Sequence, residues 1–532
     1  MYRRLNKARE GTRATAVAIE AIERRMLLSA SFADGPAMDS EPTPVLSADF
    51  GRVTLPDVFV PGDRATAQVV ITNNATTAVR GRVNVTLYAS LDGTLDAGDV
   101  ALDTGTTLAN KTLSARAGGK ATLTGRFVAP ASLANGTYVL LAKVTPAGID
   151  GATETTAATS TPYVATTSFG QVGTRRNVRY TFADSDGSLV TFSLSGPGTG
   201  VLSTDGDELN VTINGTTAAS RFNAIARGGN SGEPNEVYVA NFTINGPMAA
   251  VNGKAVEVTG SFTVGDVRTV TLQDVHGIHG NEDDVAVTFN GTTPIALTLA
   301  DVRDAHITSN APIRSLRALA WTDAGFNADF IAAPYMGSIT VAGRFEPSVT
   351  LSGNSAPRGI SLASMRVGTD VDDKVWSVQG DVGTLAIGGS VPTGWVGNIS
   401  GSLRSLTVKG NFAGNLAAAN IGSFAVTGNV TTASVRAGWN YGPDNAPNTV
   451  DDTAAVGVIN RLSVRGSVIG SQFWAGADTS GAPLTGGMIR SIAIRSADPN
   501  TRFVAATVPR AVRIDGITII TATDPRFVTE VI

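Results

Sequence analysis

Two patterns of apolar and polar positions divide the chain. Between residues 48 and 165, apolar residues recur at every second position in short runs. The runs at 66–71, 82–88, 121–127 and 138–144 each read as a half-buried strand; in the second, Val83, Val85 and Leu87 share one face. Asn135-Gly136 signals a tight turn before the last of them. About seven such runs in about 115 residues predict an immunoglobulin-like β-sandwich.

From residue 166 to 525 the pattern changes to a recurring phrase. An aliphatic residue is followed three places on by a second and two places further by a third, often with glycine soon after. Copies are Val267, Val270 and Leu272; Met336, Ile339 and Val341; Leu362, Met365 and Val367; Val382, Leu385 and Ile387. The series continues with Leu403, Leu406 and Val408; Ile421, Phe424 and Val426; Ile459, Leu462 and Val464; Ile489, Ile492 and Ile494. A degenerate copy opens at Ile313. Most copies start 18–26 residues apart, with later gaps of 38, about twice the shortest unit, and 30.

A unit near 20 residues predicts one coil of a parallel β-helix, a β-solenoid that stacks like residues above like. Propeller blades repeat at about twice that length, and leucine-rich repeats need an asparagine and a convex segment that are absent. Residues 166–262 are less regular and read as the first coils and N-terminal cap, or as a separate small β domain. The phrase Phe242, Ile244 and Gly246 favours the first reading. Residues 512–520 read as the last coil, with no anchor or sorting tail after it.

Composition agrees with an all-β chain. Of 532 residues, 42% are hydrophobic, only 16% are charged and 59 are glycine, unlike a disordered chain or a helical bundle. The formal charge of −4 offers nucleic acid no general electrostatic handle. No stretch approaches the roughly 20 apolar residues of a membrane-spanning helix. The absence of cysteine excludes disulfides, thiolate metal sites and cysteine catalysis.

Basic residues gather at the start. Residues 1–30 read as an export leader, with a basic approach and a Leu27-Leu28 end, and residues 31–47, with Pro36, Pro42 and Pro44, as a linker. Glu23, Arg25, Leu27, Leu28, Ser29 and the preceding Glu20 resemble the LEPR-XLL motif of large secreted and surface proteins of bacteria; Ile22 and Arg24 depart from it. The resemblance implies export to the surface or the extracellular space.

In the first folded domain, residues 48–165, Val60-Pro61-Gly62 is followed by the run Val69 to Asn73 and by Val85 to Ser90. Asp92, Leu95, Asp96 and Asp99 come next, and Pro130 and Gly136-Thr137-Tyr138 close the series. This order resembles the CARDB family, a cell-adhesion-related domain, with departures at Asn74-Ala75 and Thr145. It implies a surface spacer or adhesion module without chemistry of its own.

Candidate chemistry is sparse. Asp92, Asp96 and Asp99, with Asp103 near, form an acidic loop whose oxygens suit calcium, though the spacing is not that of an EF-hand; capping of turns is the structural alternative. No other cofactor is expected. The histidines are His276, His279 and His306, and the first two precede Asn281, Glu282, Asp283 and Asp284. Their spacing is not that of a zinc protease, so a polar loop is expected. No nucleophile elbow, phosphate loop or dinucleotide fingerprint occurs.

All five tryptophans fall in the repeat region: Trp321, Trp376, Trp395, Trp439 and Trp474. Trp376, Trp395, Trp439 and Trp474 lie near glycine and are read as candidate faces for stacking on sugars. The expected function is an exported, non-enzymatic surface or adhesion protein whose β-solenoid presents an elongated surface to a polysaccharide or cell-envelope component. The alternative is a β-helix polysaccharide lyase or glycoside hydrolase, which needs two carboxylates facing one groove.

Overall fold

The computed structural model describes residues 45–529 apart from 57, 103, 105–107, 131–132, 134, 160, 185–186, 206–207, 229–235, 278–283 and 326. The leader at 1–30 and most of the linker at 31–47 lie outside the described residues, as do Asp103 and His279. The chain is all-β. Apart from strands, the described residues form two short 3-10 turns, and no helix among them is long and apolar enough to cross a membrane.

The first part builds two sheets. Leu46–Thr54, Arg64–Asn73 and Lys120–Val128 form a three-stranded antiparallel sheet. Seven strands form the other, centred on Gly136–Ala147 and Val79–Ser90. Alternation decides which residues turn inward. Ala65, Ala67, Val69 and Ile71 on one sheet and Val83, Val85, Leu87, Leu140, Ala142 and Val144 on the other are all buried in one core. Phe59 is in edge-to-face contact with both Phe127 and Tyr163 within it.

A charged pair fixes this core to the next stretch of chain. Arg175 donates from both terminal nitrogens to the two oxygens of Asp63, at 2.6 and 2.9 Å, and to the Val58 carbonyl at 2.6 Å. Val58, Val60, Val172 and Val178 pack beside that pair. A paired guanidinium with few orientations left makes this a defined joint rather than a loose tether.

Apart from two small hairpins, the remaining strands form a single 31-stranded sheet. Its first strands, from Ser168–Val172 to Arg221–Arg227, pair antiparallel. Glu208–Asn214 then pairs parallel with Val237–Asn245, and Arg221–Arg227 with Met248–Val264. From there the chain returns, about every 20 residues, to lie parallel beside itself. The core runs unbroken from Phe169 in the antiparallel strands to Phe527.

The register of these returns sets the aliphatic phrase into columns. Ile313, Met336, Leu362, Val382, Leu403, Ile421, Ile459 and Ile489 are successive partners. So are Leu316, Ile339, Met365, Leu385, Leu406, Phe424, Leu462 and Ile492. Neighbouring strands lie about 4.8 Å apart, so each side chain touches its equivalents above and below. Aromatic rings make a second spine: Trp321, Phe345, Trp376, Trp395, Phe412, Phe424, Phe473, Phe503 and Phe527 follow one another at centroid distances of 4.8–6.0 Å.

Two expectations change. The 38-residue gap is one circuit, not two, because Ile421 pairs directly with Ile459. The surplus leaves the sheet after Ser434–Ala437 as an insertion that carries its own small hairpin, Trp439–Asn440 with Thr453–Ala454. Residues 512–520 do not form a last parallel circuit. Ala511–Ile514 and Ile517–Ile520 pair antiparallel around Asp515-Gly516, whose φ values of 55° and 74° suit a two-residue hairpin turn.

Because the columns carry the fold, truncating one member should cost far more than changing its outward neighbour. Leu406→Ala is expected to lose about 2–5 kcal/mol, and Ser405→Ala within about 0.5 kcal/mol of none. Urea unfolding followed by circular dichroism measures both; equal losses would contradict the columnar core.

Candidate functional site

Ionisable side chains converge where the parallel circuits turn a corner. Val258, Val275, Val302, Trp321 and Phe345 form one inward column there. Strand alternation sends their neighbours outward, which puts Glu257, Asp274, His276, Asp301, Arg303 and Glu346 on one side of successive circuits.

The upper group is Glu257, Asp274 and His276, whose nearest polar atoms all lie within 4.8 Å of one another. Glu257 and Asp274 are register partners, and Glu257 Oε1 lies 3.2 Å from His276 Nδ1. Asp274 Oδ1 also accepts from the Asp301 backbone N–H at 2.9 Å. Glu236, one residue before the strand Val237–Asn245, is buried beside them, and its Oε2 has no hydrogen-bond partner. Burial, then the negative charges of Glu257 and Asp274, push the Glu236 carboxyl up to about 7. Burial also raises Asp274, while its hydrogen bond with Glu257 raises His276.

The lower group is built around Asp329, which is fully buried. Its Oδ1 accepts from the Ala305 N–H and its Oδ2 from the Trp321 indole N–H, both at 2.8 Å. Asp304 and Asp323 each bring an oxygen within 4.8 Å of it. Asp304 accepts from the Ala324 N–H at 2.7 Å, and Asp323 accepts from the Asp329 N–H at 3.2 Å and pairs with Lys374. Glu346 accepts from the Asp323 N–H at 2.8 Å and pairs with Arg344 at 2.9 Å. His306 Nε2 lies 2.9 Å from Asp284 Oδ2, an ion-pair distance without hydrogen-bond alignment, and its ring stacks on Phe330.

Burial raises Asp329 to about 8; the Trp321 hydrogen bond opposes the rise and the charges of Asp323 and Asp304 add to it. A carboxyl that keeps its proton beside other carboxylates is what acid–base chemistry on sugars requires. Here, however, both Asp329 oxygens are committed to internal donors, and the side chain has no exposed surface. The group stitches one circuit to the next.

The residues singled out from sequence fall elsewhere. Asp92, Asp96 and Asp99 lie between Val79–Ser90 and Val100–Leu102 and serve their own loop. Asp92 accepts from the Thr94 N–H at 2.8 Å, Asp96 from the Gly98 N–H at 2.7 Å, and Asp99 from the Asp96 N–H at 3.0 Å. Among the described residues, no metal-competent group of three includes them. They act as turn caps.

The tryptophans are a correction. A face that stacks on sugar must be exposed, yet Trp376 and Trp395 lie inside the sheet at 4% and 0% exposure. Their bulk fills space that small residues leave: a Cβ on Gly397 would meet the Trp395 ring at 2.5 Å. Trp439 is buried and Trp474 half-buried, and they hold the guanidinium of buried Arg436 between them, 4.7 and 4.4 Å from the ring centroids. That clamp, with Asn398 donating to the Gly442 carbonyl at 3.3 Å and to Asn445 Oδ1 at 2.8 Å, ties the insertion down.

Sequence reading missed Glu236, Glu257, Asp274, Asp304, Asp323 and Asp329. Carried along with the aliphatic register, the signal was there: Glu257 and Asp274, like Asp304 and Asp323, sit about one circuit apart.

Since folded Asp329 keeps a proton that the unfolded chain releases near the ordinary 3.8, stability should fall as pH rises from about 4 towards 8. Asp329→Asn should flatten that slope by an amount on the order of a few kcal/mol. Thermal unfolding at pH 5 and pH 8.5 checks this; an unchanged slope would refute it.

No family model matches the chain, and no curated protein does. Among solved structures, the chain is similar to Spo0M, a sporulation control protein from Bacillus subtilis, at 10% identity and a TM-score of 0.18, over 33% of this chain and 91% of that one. It is also similar to a family 123 glycoside hydrolase from Clostridium perfringens, at 12% identity and a TM-score of 0.13, over 23% of this chain and 27% of that one. Likeness at these TM-scores carries no argument about function.

Proposed function

We propose that the chain is a non-catalytic, exported surface scaffold: an immunoglobulin-like sandwich joined to a parallel β-helix whose outer face engages a polysaccharide of the cell envelope. Two sheets around one core, antiparallel except where Val58–Phe59 pairs with Tyr163–Ala165, support the sandwich, and the regular parallel return about every 20 residues supports the helix. The leader's likeness to LEPR-XLL and the first domain's likeness to CARDB support export and display.

One observation carries the binding reading. Ser315, Ser338, Ser364, Thr384, Ser405 and Ser423 are successive register partners on the outward side of the sheet, each half-buried or exposed. Register spaces their hydroxyls at about 4.8 Å. A row of donors and acceptors at fixed spacing suits a polymer that presents hydroxyls at regular intervals. In the lower acidic group the carboxylates of Asp304, Asp323, Asp329 and Glu346 are occupied by backbone N–H groups, Trp321, Lys374 and Arg344.

Binding to immobilised bacterial and algal polysaccharides tests this, with new reducing or unsaturated ends scored alongside retention. Retention without cleavage is expected, and Ser364→Ala/Thr384→Ala/Ser405→Ala should weaken it about tenfold or more. Cleavage of any polymer would favour the β-helix lyase or hydrolase.

A further inference from the structure

We propose that Glu236, Glu257, Asp274 and His276 form a binding site for one divalent metal ion of the zinc–manganese class. They come from three successive strands, or the approach to them: Val237–Asn245, Met248–Val264 and Val267–His276. Oε1 of Glu257 and Nδ1 of His276 are already 3.2 Å apart. Metal bonds of about 2.0–2.2 Å in a tetrahedral set hold ligand atoms roughly 3.4 Å apart. The three polar atoms of Glu257, Asp274 and His276 lie within 4.8 Å of one another, so small side-chain rotations close the set.

The independent observation is Glu236. Its residue is only 7% exposed, its Oε2 is shut off from solvent, and no donor reaches that atom. An acceptor buried without a partner is costly, and more so beside other carboxylates. Against three carboxylates stand one imidazole and Arg303, the register partner of His276, which is exposed. A divalent ion satisfies the orphan oxygen and balances the charge together. The imidazole nitrogen favours zinc or manganese over calcium, which takes six to eight oxygens. Bound there, the ion would pin the circuits where antiparallel pairing gives way to parallel. The rival is a proton shared between Glu236 and Glu257.

The test uses the full chain, stripped with EDTA and dialysed, titrated with ZnCl2 or MnCl2 at pH 7.5 by calorimetry. One equivalent should bind and raise the melting temperature by about 2–4 °C. Glu257→Gln and His276→Ala should each weaken binding at least about tenfold, while His306→Ala, at the lower group, should not. Cobalt added to the unmutated chain should give a visible absorption band, which needs no variant to fold. Absence of binding and of the band would leave the shared proton as the answer. Loss of binding in His306→Ala alone would move the site to Asp284 and Asp329. Either result overturns the proposal.

Discussion

Contact between equivalent aliphatic side chains one circuit apart is the interaction on which the rest of this structure depends. A single circuit of about 20 residues has no interior of its own, so its apolar residues are covered only by the circuits before and after. Leu406, for example, sits between Leu385 and Phe424 in register. Parallel hydrogen bonding fixes that register, and the register in turn fixes what every outward residue faces. The antiparallel strands from Ser168–Val172 to Arg221–Arg227 give the stack its beginning, since their core is continuous with the first parallel columns.

A stack that repeats its inward residues also repeats its outward ones, and the result depends on their chemistry. Hydroxyls in a column, as from Ser315 to Ser423, tolerate close stacking because each can donate and accept. Carboxylates do not, because like charges a few ångströms apart repel in a partly buried corner. The lower acidic group answers with backbone N–H donors, Lys374 and a proton kept on Asp329. The upper group has His276 but leaves Glu236 Oε2 without a partner.

Insertions show how local chemistry bends around the register without breaking it. The segment after Ala437 leaves the sheet, yet Ile459 still pairs with Ile421 as if nothing intervened. Arg436 makes that excursion stable. Its guanidinium is buried between Trp439 and Trp474, with Nε donating to Ser434 and a terminal nitrogen to Asn448. Desolvation lowers the pKa of that guanidinium, so aromatic faces and hydrogen bonds must replace the water it gives up.

The aliphatic phrase needed only the sequence, because a strand's side-chain period of two is a local property; Leu385 and Ile387, two residues apart, declare one inward face without reference to any neighbour. The alternation of Val83, Val85 and Leu87 did the same for the first sheets. What only the tertiary structure decided was adjacency between circuits. Trp395, beside Gly394, looks like a loop residue in sequence, but the missing Cβ of Gly397 is what admits its ring to the interior. Asp274 and Glu257 look unrelated until parallel pairing makes them neighbours. Circuit lengths vary, and each insertion resets the count, so contacts across circuits follow from hydrogen-bond register rather than from spacing along the chain.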